Sequence, residues 1–429
     1  MDRFLHYTGG SGSLRRCFLR RSYGLFALAL LFALGLVYDP RLVDAQTATA
    51  PQRIIRVGVY GDGGVGSVPG GEREYAKVIA DIINALNTRM RARVVTGEDI
   101  RGGALKRMDV VIFPGGTGLG QYNSLGQTGR HQVQKFVYKG GGYIGICAGA
   151  YLAQTYEAKR HGSSLQIARA KVFNKSRHWA RGAGVIRVRM TNVGKRLLPE
   201  LRNHTTFFMQ YYNGPLLVPL RGPKIRGYDE LMRFESNVYH GDPRGKGESP
   251  GKTFLLRTRR GRGTVVLMSG HPESTPGFRW LVPRMVEIAA RVRPSRYPAR
   301  FVRPNKYDRE IMFTGAWFQE ERRLIGIVKN ADLEEEKDVI AAIARLREMG
   351  STDVCKHFPV LLGTDLPSVR IATAKAIVYF DYFPALGYLK KFISSEDDRA
   401  ARAALIEARN YLSVSRPDRE RVVIKEKAL

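Results

Sequence analysis

From Ile54 to Ile146, short branched apolar runs ending in glycine alternate with amphipathic stretches of helical period, and few folds accommodate that pattern. Ile54 to Tyr60 reads as a buried strand closed by Gly61-Asp62-Gly63-Gly64. A helix is predicted from about Glu72 to Asn87, with Tyr75, Val78, Ile79, Ile82, Ile83 and Leu86 on one face. Val94-Val95 and Asp109 to Phe113 read as further strands. A helix over Gly129 to Lys139 leads into the strand Gly142 to Ile146. Strands alternating with helices in this way imply an α/β fold with a mostly parallel sheet covered on both faces. Strands follow at Val185–Met190, Thr206–Gln210, Leu231–Glu235, Thr253–Arg257 and Thr264–Ser269, then a helix over Phe278 to Arg291.

Residues 53–292 are therefore expected to form one α/β domain. Arg293 to Lys306 carries three prolines and many charges, so 293–330 reads as a linker. Beyond it, Asp365-Leu366-Pro367 and, roughly 32 residues later, Asp397-Asp398-Arg399 each open an alanine-rich helix. That period suggests a small all-α solenoid of the HEAT kind over 331–415, a scaffold or docking surface for a protein partner, followed by a charged tail at 416–429. At the other end, basic residues around Arg15-Arg16 precede an apolar run from Gly24 to Val37 and small residues near Val43-Asp44-Ala45. This order predicts a signal peptide or N-terminal membrane anchor over residues 1–45, and an exported, periplasmic or envelope protein. The stretch Arg15-Arg16-Cys17-Phe18-Leu19-Arg20 also resembles a twin-arginine export signal.

The charge balance favours polyanionic partners. Lys and Arg number 70 against 39 for Asp and Glu, a formal +31. Nucleic acid, anionic lipid and an acidic envelope polymer are the ligands such a charge suits. The cations are spread along the chain with no nucleic-acid-binding motif among them, and a plain solvated surface explains them as well.

Chemistry concentrates in three glycine-rich places. Gly145-Ile146-Cys147-Ala148-Gly149 sits between a strand and a helix, the setting of a nucleophile elbow. With Cys17 in the leader, only Cys147 and Cys355 remain, too few for a disulfide framework. Ser269-Gly270-His271-Pro272-Glu273 ends another strand and offers an imidazole base with a carboxylate to orient it. Phe113-Pro114-Gly115-Gly116 ends a third. There the Gly116 N–H, with that of Ala148, suits an oxyanion hole. Each has a plainer reading: a buried cysteine at a tight crossing, a surface His-Pro turn, and a strand-ending turn. Gly61-x-Gly63-x-x-Gly66 mimics a dinucleotide fingerprint, but no acidic residue cleanly ends the second strand, and a loop lining the cysteine pocket fits better. His161, His178, His204 and His240 lack metal-ligand spacing. Neither a metal nor a cofactor is implied.

With Gly141-Gly142-Tyr143-Ile144-Gly145-Ile146-Cys147-Ala148-Gly149-Ala150-Tyr151, Tyr211-Tyr212-Asn213-Gly214 and Gly270-His271-Pro272-Glu273 beside Phe113–Gly116, the chain resembles the class I glutamine amidotransferase-like superfamily over roughly Ile54 to Val292. More narrowly, it resembles the domain at the N-terminus of eukaryotic biotin-protein ligases. The resemblance implies a flavodoxin-like core with Cys147 as nucleophile, His271 as base and Glu273 as orienter. Gly115, Tyr151, Tyr212 and Asn213 would line the pocket. Ala150-Tyr151 replace the residues that help hold glutamine in true glutaminases, and no ligase catalytic domain follows. The reading is a thiol-dependent hydrolase or amidotransferase-like enzyme acting on a small-molecule or peptide amide. Its rival is a binding or scaffold protein that keeps the fold without turnover.

Overall fold

The computed structural model describes residues 53–66, 74–155, 162–173, 182–220, 227–238 and 247–414. The expected leader, His161, His178, His240 and the charged tail lie outside them. The described residues group as one compact unit.

Five parallel strands form the heart of the sheet, in the order β2-β1-β3-β4-β11: β1 (Ile55–Tyr60), β2 (Met90–Val95), β3 (Val110–Phe113), β4 (Gly142–Ile146) and β11 (Gly263–Met268). The sheet continues antiparallel through β10 (Thr253–Arg260), β9 (Asp229–Phe234) and β6 (Ala183–Met190). Strand β7 (Thr206–Tyr212) pairs with β6 and carries the Tyr-Tyr-Asn turn. Short strands β5 (Ala170–Val172), β8 (Leu217–Pro219) and β12 (Ile311–Met312) complete it. The Arg259–Gly263 stretch is the tip of the β10–β11 hairpin.

Alternation sends each central strand to two cores. Val110, Ile112, Ile144, Ile146, Val266 and Met268 face the cluster that holds α1 (Glu74–Leu86) and α6 (Leu281–Ala290). Val111, Phe113, Tyr143, Val265 and Leu267 face the other, with α2 (Gly97–Arg101) and α3 (Gly118–Tyr138). Both sides of these strands are apolar because both are covered, which is the condition a parallel sheet imposes. The architecture is thus a flavodoxin-like α/β layer. Helix α3 starts at Gly118, well before the expected Gly129. It spans a break at Gly126, whose φ of 61° combined with ψ of 177° is a conformation essentially confined to glycine.

The first core does not stop at α6. It runs on through Tyr297, Phe301, Tyr307, Phe313 and Trp317 into the C-terminal helices. The stretch expected as a linker, 293–330, holds β12 and α7 (Gly315–Lys329). Those aromatic side chains are buried, which outweighs the local signal of prolines and charge. Of the helices that follow, α8 (Glu336–Glu348) packs on α10 (Pro367–Tyr379), α10 on α12 (Arg399–Leu412), and α12 on α11 (Leu386–Ser395), with the short α9 (Phe358–Leu362) between α8 and α10 in the chain. No described helix is long and apolar enough to cross a membrane.

Asp381 locks the helices to the loop that follows β11. Its side chain is 1% exposed and accepts from the Gly277 N–H (2.7 Å), the Arg303 guanidinium (2.6 Å) and the Tyr411 hydroxyl (2.8 Å). Removing a buried carboxylate that holds a cation costs about 3 kcal/mol or more. Asp381→Ala is therefore expected to lower the free energy of unfolding by that amount, read as a lower urea midpoint with one transition of unchanged slope. Two separate transitions, or no change in midpoint, would contradict a shared core.

Candidate active site

Cys147 stands between β4 and α4 (Ala148–Ala153), with φ 51° and ψ −101°. A non-glycine residue there stores roughly 1–3 kcal/mol of strain and persists only where its surroundings hold it. Here the Cys147 N–H donates to the Met268 carbonyl (2.8 Å), and its carbonyl accepts from Ala150 (3.0 Å) and Tyr151 (3.1 Å). The turn is tight enough to demand glycine on either side. A Cβ on Gly145 would lie 2.4 Å from the Gly149 oxygen, and one on Gly149 would lie 2.1 Å from the Phe113 oxygen. The small residues flanking the cysteine follow directly from that approach.

The elbow delivers the thiol to the C-terminal edge of the parallel strands, the side on which such sheets bind ligands. Cys147 is 6% exposed, and its Sγ lies 3.3 Å from the Tyr212 carbonyl, to which the thiol donates. Tyr212 and Asn213 thereby form one wall. The Tyr151 hydroxyl donates to the Asn213 carbonyl (3.1 Å) and closes that wall against α4. Asn213 has a φ of 52° and is exposed, at the rim.

The loop after β11 brings His271 and Glu273 to the same edge. Their side chains join through Nδ1 and Oε1 at 2.7 Å, both buried. The His271 backbone is fixed at two points. Its N–H donates to the Gln210 carbonyl (2.9 Å), and its carbonyl accepts from the Thr275 hydroxyl (2.7 Å), whose oxygen in turn accepts from the Gln210 N–H (3.1 Å). Nε2 is buried without a hydrogen bond of good geometry. The Cys147 sulfur is nevertheless close enough to influence the ring. Burial alone would pull the imidazole down; the Glu273 carboxylate and then the Cys147 sulfur outweigh it, so His271 holds its proton more tightly than an ordinary imidazole. The Tyr212 ring stands edge-on to the imidazole, with centroids 5.6 Å apart.

The Pro-Gly-Gly turn forms the third side. Val65 and Gly116 pair as an isolated antiparallel bridge, flanked by Gly66 N–H to Gly115 O (2.8 Å) and Thr117 N–H to Gly64 O (2.8 Å). That pattern leaves the N–H of Gly116 outside the ladder. Gly116 is exposed, and neither its N–H nor that of Ala148 finds an acceptor among the described residues. Gly115 touches the pair itself. A Cβ there would come 2.7 Å from His271 Cε1 and 3.7 Å from the Cys147 Cβ. The Gly61–Gly66 loop thus braces this turn.

The sequence points to Cys147, His271, Glu273, Gly115, Gly116, Ala148, Tyr151, Tyr212 and Asn213, and the fold gathers them at one sheet edge. It missed Gln210, Thr275 and Phe313. Gln210 is fully buried, and its amide donates to the Gly350 carbonyl (2.6 Å) while its backbone holds His271. A polar residue between Met209 and Tyr211 in an apolar strand was the available signal. Phe313 packs on Tyr212 (5.4 Å) from the C-terminal region and stacks on Trp317 (3.9 Å), contacts that no local pattern reveals.

Residues 103–290 match the family model described as biotin-protein ligase, N terminal. Among solved structures, the chain is similar to PurLQS from Thermotoga maritima, with 13% identity, 55% of this chain and 97% of that chain covered, and a TM-score of 0.38. It is also similar to a glutamine amidotransferase (20% identity, 55% and 99% covered, TM-score 0.33). A third likeness is to the glutaminase domain of Trypanosoma brucei CTPS bound to acivicin (12% identity, 57% and 96% covered, TM-score 0.33). A search of curated proteins finds no match.

Gly115→Ala tests the packing of this edge. Its methyl group must displace the His271 ring, a crowding that costs about 1–3 kcal/mol in a packed core. The folded variant is expected to lose about tenfold in the rate at which iodoacetamide labels Cys147. An unchanged rate would place the imidazole elsewhere.

Proposed function

We propose that this protein is an exported, thiol-dependent hydrolase or amidotransferase-like enzyme acting on an amide or related acyl carbon. The observation that carries the reading is the strained Cys147 facing the buried His271–Glu273 pair, with the N–H groups of Gly116 and Ala148 left free beside it. The chemistry follows from those positions. The thiol's proton passes to His271 Nε2 before the substrate is attacked and is held there, so the sulfur bonds to the acyl carbon as a thiolate beside the imidazolium. The developing oxyanion meets the Gly116 and Ala148 N–H groups. His271 then returns the proton to the leaving amine as the carbon–nitrogen bond breaks, which leaves a thioester. Water, or an amine acceptor, attacks the thioester, passes its proton to His271, and releases the sulfur. Glu273 holds Nδ1 and stabilises the imidazolium throughout. Export rests on the order of basic, apolar and small residues before Ala45.

One observation favours the second reading, a ligand-binding protein without turnover. In the resting arrangement the thiol donates to the Tyr212 carbonyl rather than to His271. Catalytic hydrogen bonds are often loose before substrate binds, so the enzyme reading accommodates this geometry too. Reactivity separates them.

Iodoacetamide labelling of the purified protein at pH 6.5, read by mass spectrometry, provides the test. An ordinary thiol is only about 1% thiolate there. An imidazole that takes the proton is expected to make Cys147 label at least about tenfold faster than an ordinary thiol, after allowing for the lower nucleophilicity of a stabilised thiolate. His271→Ala should remove that advantage, and Glu273→Gln should reduce it. Cys355 is an internal control, because burial pushes its thiol up to about 12 and it should stay unlabelled. Equal labelling of wild type and His271→Ala would leave the binding-protein reading.

A further inference from the structure

The other end of the same parallel strands has a different character. The thiol edge lies at their C-terminal ends; residues just before β1, β3 and β4 line a groove of about 640 Å³ at their N-terminal ends. Arg53, Lys106, Lys135, Lys139 and Arg291 line it, against the single carboxylate of Asp109, which is itself paired with Arg53. All five cations are exposed. Arg260 and Arg262 of the β10–β11 hairpin continue the basic surface around the rim, Arg260 over the Tyr138 ring and Arg262 with its guanidinium on the Lys139 carbonyl. A second groove of about 490 Å³, lined by Arg169, Arg257 and Arg259 with Asp229 paired to Arg257, shares Arg291 with the first.

A second observation concerns apolar exposure. Few large hydrophobic side chains among the described residues are exposed, and three of them lie here: Ile54 at 44%, Tyr138 at 47% and Val292 at 38%. Val292 lines the groove, Ile54 separates Arg53 from Ile55 of its wall, and Tyr138 adjoins Lys139. Such residues amid lysines and arginines suit a surface that is negative at its face and apolar just beneath. A nucleic acid would use the cations but has no use for an exposed isoleucine and valine.

We propose that this basic face docks on an anionic lipid bilayer, with the cations at the headgroups and Ile54, Tyr138 and Val292 entering the interface. Strands of four to six residues separate the two ends by roughly 13–20 Å, so a protein seated this way presents its Cys147 edge away from the lipid. This inference does not depend on turnover at Cys147.

The test uses the full chain with sedimenting vesicles of phosphatidylcholine, alone or mixed with phosphatidylserine. Every variant keeps the apolar run of residues 24–37, so differences between variants report on the face. Replacing Lys106, Lys135, Lys139 and Arg291 together by Gln is expected to lower partition onto the anionic vesicles about fivefold per charge removed. Added salt should weaken binding of the unmodified chain. A matched variant with Arg322, Arg323, Lys329 and Lys337 changed to Gln, exposed on α7 and α8, should bind as the unmodified chain does. Val292→Ser with Tyr138→Ser should weaken binding while leaving every charge in place. Equal loss in the two charge variants, or equal binding to both kinds of vesicle, would overturn the proposal. So would tighter binding to duplex DNA that the first variant loses while its vesicle binding is unchanged, which would make the face a nucleic-acid surface.

Discussion

The close approach of β4, α4 and the end of β3 is the constraint around which the site is built. Gly149 lies so near the Phe113 carbonyl that no side chain fits between them, and this contact forces the chain through the left-handed turn at Cys147. The Phe113 ring is stacked between Tyr60 (4.8 Å) and Tyr143 (5.3 Å), so the surface under the elbow is rigid and apolar. Strain at one residue is affordable because the sheet beneath it is covered on both sides. The turn lifts the sulfur above the sheet edge, where the loops after β3 and β11 and the turn after β7 reach it.

The C-terminal helices are part of this arrangement rather than an appendage. The loop that carries His271 and Glu273 continues into residues whose backbone and side chains bond to that region: Gly277 to Asp381, Arg279 Nε to the Phe380 carbonyl, and Trp280 into the core. Gln210 ties the His271 backbone to the end of α8 through Gly350. Glu273 borders a small cavity of about 40 Å³ whose other walls include Arg279, Cys355, Lys356 and Tyr382. The imidazole–carboxylate pair is thus clamped between β7 and the helical layer. Its geometry depends on contacts more than a hundred residues away in sequence.

That dependence marks where the sequence becomes opaque. The βα alternation, the elbow, the Pro-Gly-Gly turn and the Gly-His-Pro-Glu loop were legible because each is a local pattern with a local physical cause: period-two burial, a forbidden Cβ, or a strand end. The glycines around Cys147 are demanded by clashes within a few residues of chain. The stretch 293–330 was not legible in the same way. Its prolines and arginines speak for an exposed segment, whereas Phe301, Phe313 and Trp317 are buried against partners supplied by β7, α8 and α12. The role of Gln210 was hidden for the same reason, since one buried amide gains meaning only when its acceptor at Gly350 is known. Helix α3 was read short because Gly126 breaks its periodicity, while the backbone on either side stays helical.

At this edge a thiol, an imidazole and a carboxylate form one electrostatic unit. Nitrogen NMR of the His271 ring across pH measures that coupling without any substrate. His271 is expected to stay protonated well above the ordinary imidazole range, because the Glu273 carboxylate and the Cys147 sulfur outweigh the burial that opposes it. Cys147→Ala is expected to shift the titration down. A ring that titrates near 6.5 and ignores Cys147→Ala would contradict this coupling, because the sulfur and the imidazole would then not sense each other.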